Sequence, residues 1–258
     1  MLGEYIADRW IVRMLREQAE QRGIAFSSWS DDWLIKLQKG DATHRIIGYR
    51  FDLNDSVAAA ISQDKVATYT VLTNNNIPAV PHQLVRTKVS SANKEVMNGW
   101  KHIVIKPLDG TSGHGVKLFH DTDEAIQAIE PSAIQAWAAA PYIDIQRETR
   151  LVLLNGTPLL AYEKRPVTIN SLKMFNLGLG ATPVNITATD ELIDLARRAQ
   201  TALGLRLSAI DICETVDGKL QILEVNDAIM MEHYARASAE NKNRAETIYG
   251  TILATMFE

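Results

Sequence analysis

The chain reads as α+β, with antiparallel hairpins and helices set apart along the sequence. Three observations predict it. Asn155-Gly156 and Asp217-Gly218 each separate two runs rich in Val, Ile and Leu, a strong two-residue hairpin signal. Residues 187–203 place Leu192, Leu195, Ala196, Ala199 and Leu203 on one helical face, with Gly204 as the stop. The 258 residues carry a net charge of −4 and are 46% hydrophobic and 22% charged, an ordinary composition for a chain able to bury a sizeable core.

The elements follow in order. Residues 5–22 form an amphipathic helix with Ile6, Trp10, Met14, Leu15 and Ala19 at helical spacing, ended by Gly23. Residues 24–29 and 45–51 read as strands, so the N-terminal stretch is a small α/β unit. Asp64 opens a helix to about Asn74, closed by the loop up to Pro78. Residues 103–106 and 116–119 are strands around a glycine-rich loop, followed by a helix from Asp121 or Thr122 to about Ile129 and a further strand from Ala133. Residues 150–154 and 158–164 flank Asn155-Gly156 as a hairpin, residues 207–213 and 220–226 flank Asp217-Gly218, and helix closes the chain over 234–257.

Bulk properties narrow the function. The charge balance gives no footprint for nucleic acid. No apolar run reaches the roughly 18 residues of a membrane span, and the first residues lack the pattern of a signal peptide. A cytoplasmic enzyme without nucleic-acid or membrane partners is the expectation. Cys213 is the single cysteine, lies in an apolar strand and reads as core. The six histidines show no metal spacing, and no Gly-x-Ser-x-Gly elbow is present.

The late hairpin carries the chemistry. A two-residue turn at Asp217-Gly218 opposes Asp211 to Glu224, with Asn226 two residues on and on the same face. Facing carboxylates repel. A divalent cation reverses the sign, and an all-oxygen set of two carboxylates and an amide suits a hard ion such as Mg²⁺, which completes its shell with water and phosphate oxygens. Upstream, Gly110, Thr111, Ser112, Gly113, His114 and Gly115 follow the strand that ends in Lys106. Three glycines let backbone N–H groups approach phosphate. No Gly-Lys-Ser/Thr follows, and the next segment is strand, so this is neither a Walker loop nor a dinucleotide fingerprint.

Residues 104–116 resemble the lid strand and loop of ATP-grasp enzymes, and are especially similar to cyanophycin synthetase. Gln63-Asp64-Lys65 with the segment to Pro81 resembles the approach to that lid. Glu148-Thr149-Arg150 and Glu163-Lys164-Arg165-Pro166 resemble the strand pair of the ribosomal-protein glutamate-adding ligases, and Ala209–Asp211 with Leu223–Asn226 resembles their metal hairpin. The ordered set spans roughly residues 60–228. It implies an ATP-grasp fold with a reduced N-terminal unit over 1–62, a lid subdomain over 63–137 and a C-terminal antiparallel-sheet subdomain over 138–258. It also implies roles: Lys65, Lys106 and the loop Gly110, Thr111, Ser112, Gly113 and Gly115 on the phosphates; Gln135, Ala136 and Trp137 as the adenine hinge; Glu148 on the ribose, with Asp144 as competitor; Arg165 and Arg150 on the transferred phosphate; Lys173 and Asn176 near the reacting carboxylate; Asp211, Glu224 and Asn226 on one or two Mg²⁺ ions, with Mn²⁺ as substitute. The activity implied is ATP-dependent amide formation between a carboxylate and an amine, amino acids or a peptide, through an acyl phosphate. The alternatives are a nucleotide-binding regulatory partner or a kinase on the same scaffold, and related enzymes suggest a homo-oligomer. One departure stands out: Asp227-Ala228 replaces the Pro-Gly turn that often follows the metal-site asparagine in that family.

Overall fold

The computed structural model describes residues 8–86, 91–108, 115–129, 136–169 and 172–258. The N-terminal unit is α1 (Trp10–Gln21) followed by β1 (Ala25–Trp29), β2 (Leu34–Lys39), β3 (Ala42–Ile47) and β4 (Arg50–Phe51). Helix and sheet are both present, as the sequence predicts, but the strands form one antiparallel meander in the order β1-β2-β3-β4. The alternation of Ile35 and Leu37 with Lys36 and Gln38 in β2 was the unused signal, with Ile35 and Leu37 fully buried and Lys36 and Gln38 less so.

Two short helices come next, α2 (Ser56–Gln63) and α3 (Lys65–Asn74). Asp64 ends one and starts the other, its carboxylate accepting from the N–H groups of Val66 and Ala67 at 2.9 Å each. The chain then bonds to a distant strand before entering the lid: Val80 N–H donates to Ile222 O, and Ile222 N–H to Pro78 O, both at 2.9 Å.

The lid comprises β5 (Gln83–Arg86), α4 (Ser91–Asn98), β6 (Ile103–Pro107), β7 (Lys117–Phe119), α5 (Thr122–Ile129) and β8 (Ala136–Pro141). Its sheet order is β5-β8-β6-β7. Val85, Ile103, Ile105, Trp137 and Ala139 pack with Met97, Ala125 and Ile129 of the two helices as a separate core.

The remainder is β9 (Ile145–Leu154), β10 (Thr157–Arg165), β11 (Val167–Ile169), β12 (Leu172–Met174), β13 (Thr182–Asn185), α6 (Asp190–Ala202), β14 (Leu207–Thr215), β15 (Leu220–Asn226), α7 (Glu232–Arg236) and α8 (Ala239–Thr255). A five-stranded antiparallel sheet, β13-β10-β9-β14-β15, forms its centre. Asn155 and Gly156 make the expected tight turn with φ of 48° and 77°. One face of this sheet buries Val152, Leu154, Tyr162 and Leu207 against the N-terminal unit, α7 and α8. The other buries Leu151, Leu153, Ile210 and Ile212 against α6 and the α2–α3 pair. Strand period two fixes these sides, and both cores run through the same strands. Among the described residues, no helix is long and apolar enough to cross a membrane.

Candidate functional site

The N-terminal unit covers only one end of its sheet face. At the other end the same face turns polar. Register places Tyr162, Arg150, Asp211 and Glu224 in one row across β10, β9, β14 and β15, and Lys164, Glu148 and Cys213 in the next. Asp211 therefore faces Glu224, as the sequence predicts, but by a different route. The turn is a three-residue loop: Thr215 N–H donates to Lys219 O at 3.0 Å, Gly218 N–H to Thr215 O at 2.9 Å, and Gly218 sits at φ 79°. A bulge between Asp211 and Ile212 then restores the pairing, leaving Leu223 as the extra residue on β15. The bulge aims Leu223 and Glu224 into a cleft shared with Lys65, Val80 and His82.

The carboxylates are not left to repel each other. Arg150 donates to both Asp211 oxygens, from Nε at 2.7 Å and Nη2 at 2.6 Å, and Lys164 Nζ lies 3.0 Å from Asp211 Oδ2. Lys164 also donates to Glu148. Glu148, Lys164 and Asp211 are all buried. Burial alone would push the Asp211 carboxyl up, but Arg150 and Lys164 outweigh it and hold it down at about 2. Glu148 goes the other way: burial raises it against the pull of Lys164. Glu224 is partly exposed, and its Oε1 lies 3.4 Å from Lys65 Nζ. The repulsion argument for a metal is thus answered in the protein by three cations, and removing Glu224 relieves no unbalanced charge.

The lid supplies a fourth cation. Lys106 lies on the face of β6 opposite the lid core, and burial lowers its ammonium to about 8, with Glu224 supporting the charge and Lys65 opposing it. The two sheets meet where Ala140 of the lid packs with Val80 and Cys213. Burial pushes the Cys213 thiol up to about 12, which fits packing and not a nucleophile.

Other expected site residues fall elsewhere. Arg165 lies on the opposite face of β10 from Lys164, is largely exposed, and pairs with Glu163 at 3.2 Å. Adjacent strand residues point to opposite faces, so Lys164 and not Arg165 turns toward Asp211. Lys173 donates to the exposed Asp144 at 2.7 Å and to Ile145 O at 3.3 Å, and Asn176 accepts from Gly178 N–H at 2.7 Å to cap a short 3₁₀ turn. Neither bonds to the Asp211 cluster. Ala136 and Trp137 cannot offer free backbone to a base: β8 is paired with β5 on one side and β6 on the other through Ala136–Ala139. Gln135 lies outside the described residues, as do Gly110, Thr111, Ser112, Gly113 and His114. Gly115 adopts φ 73°, and a Cβ there would meet Pro107 ring carbons at 3.0 Å, so glycine suits the position before β7 where the chain passes the end of β6.

Asp227, the departure after Asn226, is buried and accepts from Arg50 Nε at 2.9 Å and Gln63 Nε2 at 3.3 Å. Arg50 also pairs through its backbone with Ala228. The N-terminal unit is therefore tied directly to the end of β15, a contact between distant segments that no local pattern announces.

Comparison with known proteins gives the same frame. A probable alpha-L-glutamate ligase from Shewanella pealeana is 26% identical over 184 residues, which is 70% of this chain and 40% of that protein, so the chain spans well under two thirds of that relative. The D-alanine–D-alanine ligase from Bacillus anthracis superposes with a TM-score of 0.60 at 18% identity, over 79% of this chain and 69% of that one. The ATP-grasp ligase PsnB, solved with a minimal precursor, Mg and ADP, superposes with a TM-score of 0.56 at 17% identity, over 77% of this chain and 62% of that one. The family model described as the RimK-like ATP-grasp domain matches residues 62–248, and with the two sheets, their seam and the charged hairpin in place, the chain belongs to that family.

Proposed function

We propose that the protein is an ATP- and Mg²⁺-dependent ligase that joins a carboxylate to an amine through an acyl phosphate. The observation that carries this reading is the gathering of Lys65, Lys106, Arg150 and Lys164 around Asp211 and Glu224 where the two sheets meet. Such a concentration of largely buried cations beside carboxylates suits a polyphosphate.

The residues fit a hard cation. Asp211 stays ionised at any working pH, Glu224 is partly open, and Asn226, two residues on along β15, can offer its amide oxygen from the same face. Among the described residues no three His, Cys, Asp or Glu side chains converge, so the amide is needed as third ligand. Asp211, Glu224 and Asn226 would hold Mg²⁺, which would supply positive charge to offset the phosphates, and Mn²⁺ fits the same oxygen set.

Lys65 and Lys106 neutralise the phosphates, Lys65 moving from Glu224 to the nucleotide. The alternation of β8 supports a hinge at its C-terminal end. Leu108 N–H donates to Ala136 O at 3.4 Å and Tyr142 N–H to His102 O at 2.9 Å, so even-numbered residues turn their backbone to β6. Pro141 O turns to the other side, beyond Gln83 where β5 begins, and Ile143 follows two residues on, past the end of β8. A carbonyl and an N–H two residues apart match the amine and N1 of adenine. The ribose falls to the exposed Asp144, one residue on, and not to the buried Glu148. Leu223 provides an apolar wall.

In the reaction a substrate carboxylate oxygen attacks the γ-phosphorus, the bond to the β-bridging oxygen breaks, and ADP leaves. The amine nitrogen then attacks the acyl carbon, phosphate departs, and the nitrogen loses a proton. The closed lid keeps water from the acyl phosphate. The names of the relatives point to amino acids or a peptide as substrates.

The test is a screen of amino-acid pairs and peptides with ATP and Mg²⁺, following phosphate release and product mass. Phosphate release that requires both an acid and an amine, with a product heavier by the amine minus water, is expected. A stable phosphorylated product without amine would replace the reading with a kinase.

A further inference from the structure

His82 belongs to neither the lid core nor the charged cluster, and nothing above uses it. It is the residue before β5, beside the register pair Gln83–Ala139. Strand alternation puts it on the sheet face that carries Lys106, Ala138 and Ala140, away from the lid core. Its relative exposure is 7%, and it lines the cleft with Lys65, Leu223 and Glu224.

Its protonation is set by its neighbours. His82 Nδ1 lies 2.9 Å from Val80 O, and a carbonyl only accepts, so Nδ1 carries the hydrogen. Burial, then the nearby Lys106, and to a smaller extent Lys65, lower the imidazolium to about 3, against the support of the Val80 carbonyl. The ring is therefore neutral at working pH, and Nε2 presents a lone pair. That Nε2 is buried and has no hydrogen-bond partner. A buried acceptor without a donor is costly, and such groups in native structures generally have an explanation.

We infer that His82 is a base-specificity residue, whose Nε2 accepts a hydrogen bond from the exocyclic amine of an adenine nucleotide. This rests on the nucleotide site proposed above. The proposed base edge at Pro141 O and Ile143 N–H would lie next to Ala140, and His82, one residue before the Gln83–Ala139 pair, flanks that position. The adenine amine has two hydrogens; one goes to the Pro141 carbonyl and the second to Nε2. Guanine places a carbonyl oxygen there, so two acceptors would meet in a dry cleft. A purine without the amine leaves Nε2 unpaired. A site built to bond a polar group rejects the analogue lacking it far better than an apolar pocket does.

The experiment is calorimetric titration of the full chain with Mg²⁺-ADP and with Mg²⁺-purine riboside diphosphate, which lacks the amine; no acid or amine substrate is needed. The unmodified protein is expected to favour ADP by about a hundredfold, roughly two hydrogen bonds. His82→Phe, which keeps a planar ring, is expected to weaken ADP about tenfold and leave the purine analogue within twofold, so the preference narrows to about tenfold. An unchanged analogue affinity also shows that the variant is folded and its site intact. An unaltered ADP preference in His82→Phe, or equal weakening of both ligands, overturns the role of His82 while leaving the nucleotide site standing. No ADP binding by the unmodified protein overturns the site and this inference together.

Discussion

Lys106 and Asp211 are both held away from their ordinary protonation behaviour, with opposite consequences. Lys106 is charged below about 8, against an ordinary value of 10.5. If it binds ATP phosphate, kcat/KM for ATP falls as pH rises through about 8, because that ratio reports the free enzyme. Lys106→Arg, which cannot deprotonate, is expected to lose this alkaline limb. Apo stability moves the other way. A lysine with a lowered folded pKa penalises folding below that pKa, so its burden lifts between about 8 and 10.5 as pH rises. Asp211 has a depressed pKa, so its contribution is complete above its unfolded value of 3.8 and is lost as pH falls through about 2. Asp211→Asn takes the buried partner from Arg150 and Lys164 and is expected to cost about 3–5 kcal/mol of stability, read from denaturant midpoints. Glu224→Gln, at a partly exposed pair, is expected to cost less than about 1 kcal/mol while abolishing Mg²⁺-dependent ADP formation. Full turnover in Glu224→Gln would sink the metal assignment. Period two was enough to prefer Lys164 over Arg165 from sequence, since Arg150 and Asp211 define the face; family resemblance obscured it.

At the scale of elements, hairpins with αL glycines were legible and their details were not. The Asn155-Gly156 turn follows directly from its residues. The late hairpin gave the right partners for Asp211 because a longer turn and a bulge at Leu223 offset each other, and no local residue type signals that bulge. The hinge expected at Gln135, Ala136 and Trp137 meets a related difficulty, since Ala136 and Trp137 are paired in the sheet. A sequence shows that β8 is a strand, but not where its neighbour stops, and the pairing with β5 ends at Gln83. This yields a sharp prediction. Ile143→Pro removes one N–H and is expected to raise the Kd for ADP at least tenfold, whereas Ile143→Val leaves it within twofold. Proline at a position with no described backbone partner breaks no ladder, so a thermal midpoint close to that of the unmodified protein should accompany the loss. Unaltered ADP binding in Ile143→Pro would return the hinge to another segment.

Across the whole molecule, the cores define what moves. The N-terminal unit, α7 and α8 share one core with the central sheet, and the tie from Arg50 to Asp227 reinforces that union at the site itself. The lid has its own small core and touches the rest through Val80, Ala140 and Cys213. These long-range unions were invisible in the sequence, because the partners lie more than a hundred residues apart: Arg50 and Asp227, or Glu232 accepting from Ile11 N–H at 3.1 Å. A small core with a narrow seam opens at lower free energy than a core shared by three layers. Native-state hydrogen exchange should therefore find the amides of Ile103, Ile105 and Ala139 less protected than those of Leu151, Leu153 and Ile210. If Mg²⁺-ADP binds at the seam as proposed, it should raise protection in the lid more than in the central sheet, by an amount that grows with ligand concentration above Kd. Uniform protection across both sheets, unchanged by Mg²⁺-ADP, would show that the lid is not an independent body and that closure over the acyl phosphate needs another moving part.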